Sequence, residues 1–97
     1  MEYLEPWYAT EDESLLSELR REMSQQHVLY GLPLKVLARR QDRDDVLFEM
    51  LDGSSRLAEV HLSWQVESSP AWPSTKLFSN QDTWVESMRH DNQEYVA

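Results

Sequence analysis

LKVLARRQDRDDVLFEMLDGSSRLAEVHLSW, residues 34 to 64, decides the fold. Three short runs rich in aliphatic and β-branched residues, at 34–40, 46–51 and 57–64, are separated by the polar clusters QDRDD and DGSS. That pattern predicts three antiparallel strands joined by two hairpin turns. Successive side chains on a strand point to opposite faces. One face therefore collects Leu34, Val36, Ala38, Val46, Phe48, Met50, Ala58, Val60, Leu62 and Trp64, the expected core. The other collects Lys35, Leu37, Arg39, Leu47, Glu49, Leu51, Leu57, Glu59, His61 and Ser63. This second set is too apolar for a purely solvated face and too charged for an interior. Helices on one side of the sheet alone would leave it open, and an exposed apolar patch of a few hundred Å² usually marks a contact. Leu37, Leu47 and Leu57 are thus candidate docking residues, through which a homodimer would form; plain exposure or cover by the N-terminal arm is the alternative.

Upstream, Thr10 followed three residues later by Glu13 resembles a capping box, in which hydroxyl and carboxylate each satisfy a free N–H at a helix start. A helix is predicted from near residue 11 to about 26, with Leu15, Leu16, Leu19 and Met23 on one face. Glu11, Asp12 and Glu13 sit where the helix dipole favours negative charge. Gly31 and Pro33 punctuate the link to the strands. Downstream, Pro70 and Pro73 argue for a surface loop over residues 65–78, because proline cannot donate to a strand ladder. A second helix is expected from about 80 to 90, with Ser79 and Asp82 as its cap and Trp84, Val85 and Met88 as its apolar stripe. The ending, DNQEYVA, reads as a loose tail. The expected architecture is α+β in the order αβββα, a three-stranded antiparallel meander with both helices on one face.

A chain of 97 residues, 40 % hydrophobic and 28 % charged, has the size and composition of one folded domain, here 1–97. It contains no cysteine, which excludes disulfides and thiolate metal clusters and points to a reducing compartment. No apolar run approaches the ~20 residues that span a bilayer, and the acidic first residues do not resemble a secretory signal. A cytoplasmic protein with no membrane partner is expected. The formal charge is −9, and residues 1–26 hold seven acids against Arg20 and Arg21. With Lys35 and Lys76 as its only lysines, the chain has little from which to build the basic stripe that nucleic-acid binding needs. A basic protein partner would be attracted, although net negative charge also serves solubility alone.

Candidate chemistry gathers in VHLSWQVESSPAWPST, residues 60–75, where alternation gives way to a proline-punctuated loop. Such strand-end loops are where a scaffold presents groups to ligands, so His61, Trp64, Glu67 and Trp72 are the candidate binding residues. A histidine poised by a carboxylate works as a general acid or base, which makes His61 with Glu67 or Asp91 the candidate pair of a small metal-independent hydrolase or isomerase. The plainer reading is a surface histidine and a loop carboxylate. Ser63, Ser68, Ser69 and Ser74 lie nearby, but no G-x-S-x-G elbow exists. His27, His61 and His90 fall in different elements without metal-binding spacing. QDRDD lacks the glycine and terminal glutamate of a calcium loop, and Gly53 fits a turn rather than a phosphate cradle. Neither metal nor cofactor is expected. Of the four tryptophans, Trp64 by strand parity and Trp84 by helical spacing read as core. Trp7 and Trp72, in the segments EPWY and PAWP, either pin loops to the domain or serve as binding hot spots.

DDVLFEM followed by VHLSW, then Glu67, PAWPST and finally Trp84, Met88 and Asp91 resembles a group of short bacterial proteins of uncharacterised function, over most of residues 18 to 95. The resemblance implies a bacterial, stand-alone protein and assigns no activity and no site. The residues together point to a small acidic, non-enzymatic interaction module. It would act through the mixed sheet face and the loop from Trp64 to Pro73, on a second copy or another protein. Besides the His61 enzyme, an acidic immunity or inhibitor protein directed at a basic target is the other alternative.

Overall fold

The computed structural model describes residues 1–97 and shows five antiparallel strands in a single meander with one helix packed on each face. The strands are β1 (Trp7–Ala9), β2 (Leu34–Arg40), β3 (Asp45–Met50), β4 (Leu57–His61) and β5 (Ser74–Phe78), paired in sequence order. Helix α1 (Ser14–Glu22) follows β1, and α2 (Gln81–Val96) follows β5. The α+β class and the three central strands agree with the sequence reading. The αβββα order does not, because an edge strand is added at each end. β1 has only three residues. β5 begins directly after Pro73, and an edge strand tolerates proline at its start where a central one does not.

The larger correction concerns the two faces. Leu15 and Leu19 from α1 and Met23 just after it pack with Val36, Val46, Phe48, Met50, Ala58, Val60 and Leu62. Trp84 and Met88 from α2 cover the other face, burying Leu47 and Leu57 together with Trp7 and Ala38, with Leu37 partly buried at the margin. Leu47 and Leu57 are 0 % and 3 % exposed. The mixed face is therefore a second core and offers no open side for a homodimer; its leucines carry the apolar half of a sandwiched sheet.

Residue parity also breaks inside β2. Val36 pairs with Phe48, but Ala38, two positions on, pairs with Leu47, the immediate neighbour of Phe48. Leu37 is thus an extra residue in the ladder, a β-bulge that turns the following side chains to the opposite face. Ala38 and Arg40 consequently lie on the α2 side, whereas alternation from Leu34 puts Ala38 on the α1 side. Alternation also ends early in the third strand: β4 stops at His61, and Trp64, placed in the core by parity, is 49 % exposed.

Helix ends differ from expectation too. The capping box does not form; the Asp12 carboxylate accepts the Ser14 N–H at 3.0 Å, and Thr10 Oγ1 accepts the Asp12 N–H at 3.2 Å. α2 is capped by Asn80, whose side chain accepts the Thr83 N–H at 2.9 Å. It runs on through the segment read as a loose tail. No helix is long and apolar enough to cross a membrane.

Candidate binding site

The chain after β4 leaves the sheet through two buried polar anchors supplied by α1 and the connection that follows it. Glu22, at the end of α1, is 0 % exposed. Its Oε1 accepts the Ser63 N–H at 2.8 Å and the Ser63 hydroxyl at 3.1 Å, and its Oε2 accepts the Trp64 N–H at 2.8 Å. The Glu22 carbonyl takes the Glu67 N–H at 3.0 Å as well. Held at both ends, the turn keeps Trp64 at φ +59°, a region a bulky L-residue adopts only when its surroundings impose it. The indole is turned outward as a result. Burial, and then the neighbouring Glu18 side chain, push the Glu22 carboxyl above its ordinary value against the three N–H and O–H bonds that favour its charge.

His27 performs the corresponding task for Trp72. It is buried, its Nδ1 accepts the Leu29 N–H at 3.0 Å, and its Nε2 lies 3.0 Å from the Pro73 carbonyl. An acceptor at Nδ1 makes the ring neutral with the proton on Nε2, so Nε2–H donates to Pro73. The Thr75 hydroxyl donates to the same carbonyl at 3.0 Å. Pro73 is buried while Trp72, one residue earlier, is 49 % exposed.

Trp64 and Trp72 line a common groove of about 420 Å³ together with Asp44, His61, Ser63 and Glu67. Neither indole stacks on another ring; the aromatic pairs of the molecule are Tyr3–Trp84 and Trp7–Trp84. The structure thus brings together the four loop residues singled out from sequence, His61, Trp64, Glu67 and Trp72. It leaves Leu37, Leu47 and Leu57 apart from them, in the α2-side core. Trp7, read as a loop pin or hot spot, is 1 % exposed and edge-on to Trp84, with centroids 5.2 Å apart.

His61 and Trp72 also border a second, strongly polar cleft of about 390 Å³ on the α2 side. Strand register builds it: Asp45, His61 and Ser74 form one cross-strand row, and Leu47, Glu59 and Lys76 the next. His61 does not pair with Glu67 or Asp91. Its Nδ1 is 2.6 Å from Oδ1 of Asp45, a buried carboxylate whose other oxygen lies 3.9 Å from Arg43. Asp91 instead accepts from Trp7 Nε1 at 3.1 Å and lies 3.6 Å from Arg40. Arg40 is held charged by a bidentate contact with Asp42 at 2.8 and 2.9 Å. Glu59 accepts the Trp84 indole N–H at 3.0 Å, and burial raises its carboxyl above the ordinary range.

Asp45 is the partner of His61 in this cleft that the sequence reading does not single out. The sequence places it in the QDRDD turn, whereas β3 begins with it. Aligning β3 and β4 through their apolar residues would have placed it opposite His61. No group of three or more His, Asp and Glu side chains is arranged to hold a metal ion. No protein-family model matches the chain, and neither the curated proteins nor the solved structures compared with it include a match.

Proposed function

We propose that this protein is a non-enzymatic interaction module that binds another protein through the groove between Trp64 and Trp72. One observation carries the reading: two large indoles are half exposed while the backbone at each is anchored by a buried polar side chain, Glu22 beneath Trp64 and His27 beside Trp72. Tryptophan joins large apolar area to an N–H donor and is enriched at binding centres. A groove whose walls are fixed in advance avoids the ordering cost of assembling them on binding. This groove takes over the docking role assigned from sequence to the sheet face. The test is capture from an extract of the native cells with wild type, Trp64→Ala and Trp72→Ala side by side, followed by titration of the captured protein in purified form. The reading predicts a partner bound by wild type and lost from both variants; a partner retained by both overturns it.

A second reading rests on the His61–Asp45 contact at 2.6 Å. A buried carboxylate bonded to a histidine that lines a polar cleft is the arrangement of a general base with its orienting group. It supports a metal-independent hydrolase or isomerase, with Asp45 in the part assigned from sequence to Glu67 or Asp91. Turnover abolished by His61→Ala and strongly reduced by Asp45→Asn would establish it. Equal turnover in all three proteins would dismiss it.

A further inference from the structure

We infer that the occupant of the Trp64–Trp72 groove is an arginine side chain on an exposed, extended segment of a basic protein. This deepens the binding reading above and rests on it. Three features of the groove point to a cation. Its two aromatic walls, Trp64 and Trp72, are half exposed and stack on no other ring, and an indole face attracts a guanidinium or ammonium placed over it. Its polar lining includes Asp44 and Glu67, and neither carboxylate is engaged in an ion pair or side-chain hydrogen bond, whereas Asp42 and Asp45, either side of Asp44 in sequence, are each ion-paired. No lysine or arginine of this chain lines the groove.

The alternatives fit less well. A phosphate or carboxylate group would approach two uncompensated negative charges in a chain of net charge −9. A neutral proline-rich segment would find the indoles but would strip water from Asp44 and Glu67 without replacing it. Arginine is favoured over lysine because its planar guanidinium stacks on an indole while its edge donates two parallel hydrogen bonds to a carboxylate. The long-range field of the acidic N-terminal quarter, with seven acids against Arg20 and Arg21, would speed encounter with a basic partner.

The experiment uses the full chain labelled with ¹⁵N and follows the four indole N–H signals by NMR. The probes are acetyl-Gly-Gly-Arg-Gly-Gly-amide and the same peptide with citrulline, a neutral isostere of arginine. The arginine peptide should shift the Trp64 and Trp72 signals saturably and leave those of buried Trp7 and Trp84 in place. Citrulline should bind about tenfold more weakly. The surface variant carrying Asp44→Asn and Glu67→Gln, which removes charge and leaves the indoles, should lose the same preference. Equal shifts from both peptides overturn the arginine assignment and leave the groove standing as a binding site. No shift of Trp64 and Trp72 with either peptide also overturns it, and the capture experiment then decides the broader reading separately.

Discussion

The Glu22 carboxylate accepts the Trp64 backbone N–H at 2.8 Å across 42 residues of sequence, so the last residue of α1 sets the direction of a tryptophan beyond the end of β4. Glu22→Ala leaves the Ser63 and Trp64 N–H groups without an acceptor, at about 1–3 kcal/mol for each buried donor. The expected result is a total loss of about 2–6 kcal/mol in denaturant unfolding and a changed Trp64 indole signal. Unaltered stability and an unmoved Trp64 signal would refute the anchor.

His27 acts on the other wall. His27→Ala removes the donor to the Pro73 carbonyl and the acceptor for Leu29 N–H, and is expected to cost about 1–3 kcal/mol. The Trp72 indole should become more mobile on the nanosecond scale in ¹⁵N relaxation, while Trp64 is unchanged. Equal loosening of both rings would show general unfolding instead of a local anchor.

Leu47 is fully buried between the sheet and α2. Leu47→Ala should destabilise by about 2–5 kcal/mol, and Leu47→Asp should prevent folding because an unpaired charge would be buried. On an open sheet face both changes would be tolerated, so a folded, stable Leu47→Asp protein would contradict the two-sided sandwich.

Glu59 makes stability depend on pH. Burial raises its carboxyl above the ordinary 4.5, the Trp84 N–H opposes this, and the charges of Asp45 and Asp91 add to the rise. Its folded pKa therefore exceeds its unfolded one. The contribution is complete below the unfolded value and is lost as pH climbs through the folded value. Glu59→Gln keeps an acceptor for Trp84 and removes the titration. Its melting temperature relative to wild type should rise as pH climbs above the ordinary carboxyl value of 4.5, and a flat difference would refute this assignment.

The bulge at Leu37 is a register device. Deleting Leu37 removes the extra residue and leaves simple alternation, in which Ala38 follows Val36 directly onto the α2 side opposite Leu47 and Arg40 keeps its place beside Asp42, Asp91 and the Trp7 ring. The deletion is therefore expected to keep a cooperative unfolding transition, weakened by about 1–3 kcal/mol for the lost, partly buried leucine, and loss of the transition would contradict the bulge.

The central hairpins, the α1 stripe and the core position of Trp84 were legible in sequence, because two- and 3.6-residue periodicities are local consequences of backbone geometry. So was the grouping of His61, Trp64, Glu67 and Trp72 at one strand end, since alternation breaks there into a proline-marked loop. Local pattern could not say which face a helix covers. Leu47 and Leu57 looked like an open patch because the aromatic and methionine side chains above them arrive from α2, more than 25 residues later in the chain. Nor could it reveal a bulge, where one extra residue inverts parity without changing composition. The anchors under Trp64 and Trp72 and the Asp45–His61 pair join residues far apart in sequence. Only tertiary packing decides such contacts, because a buried carboxylate or imidazole must take whatever partner the folded backbone brings within hydrogen-bond reach.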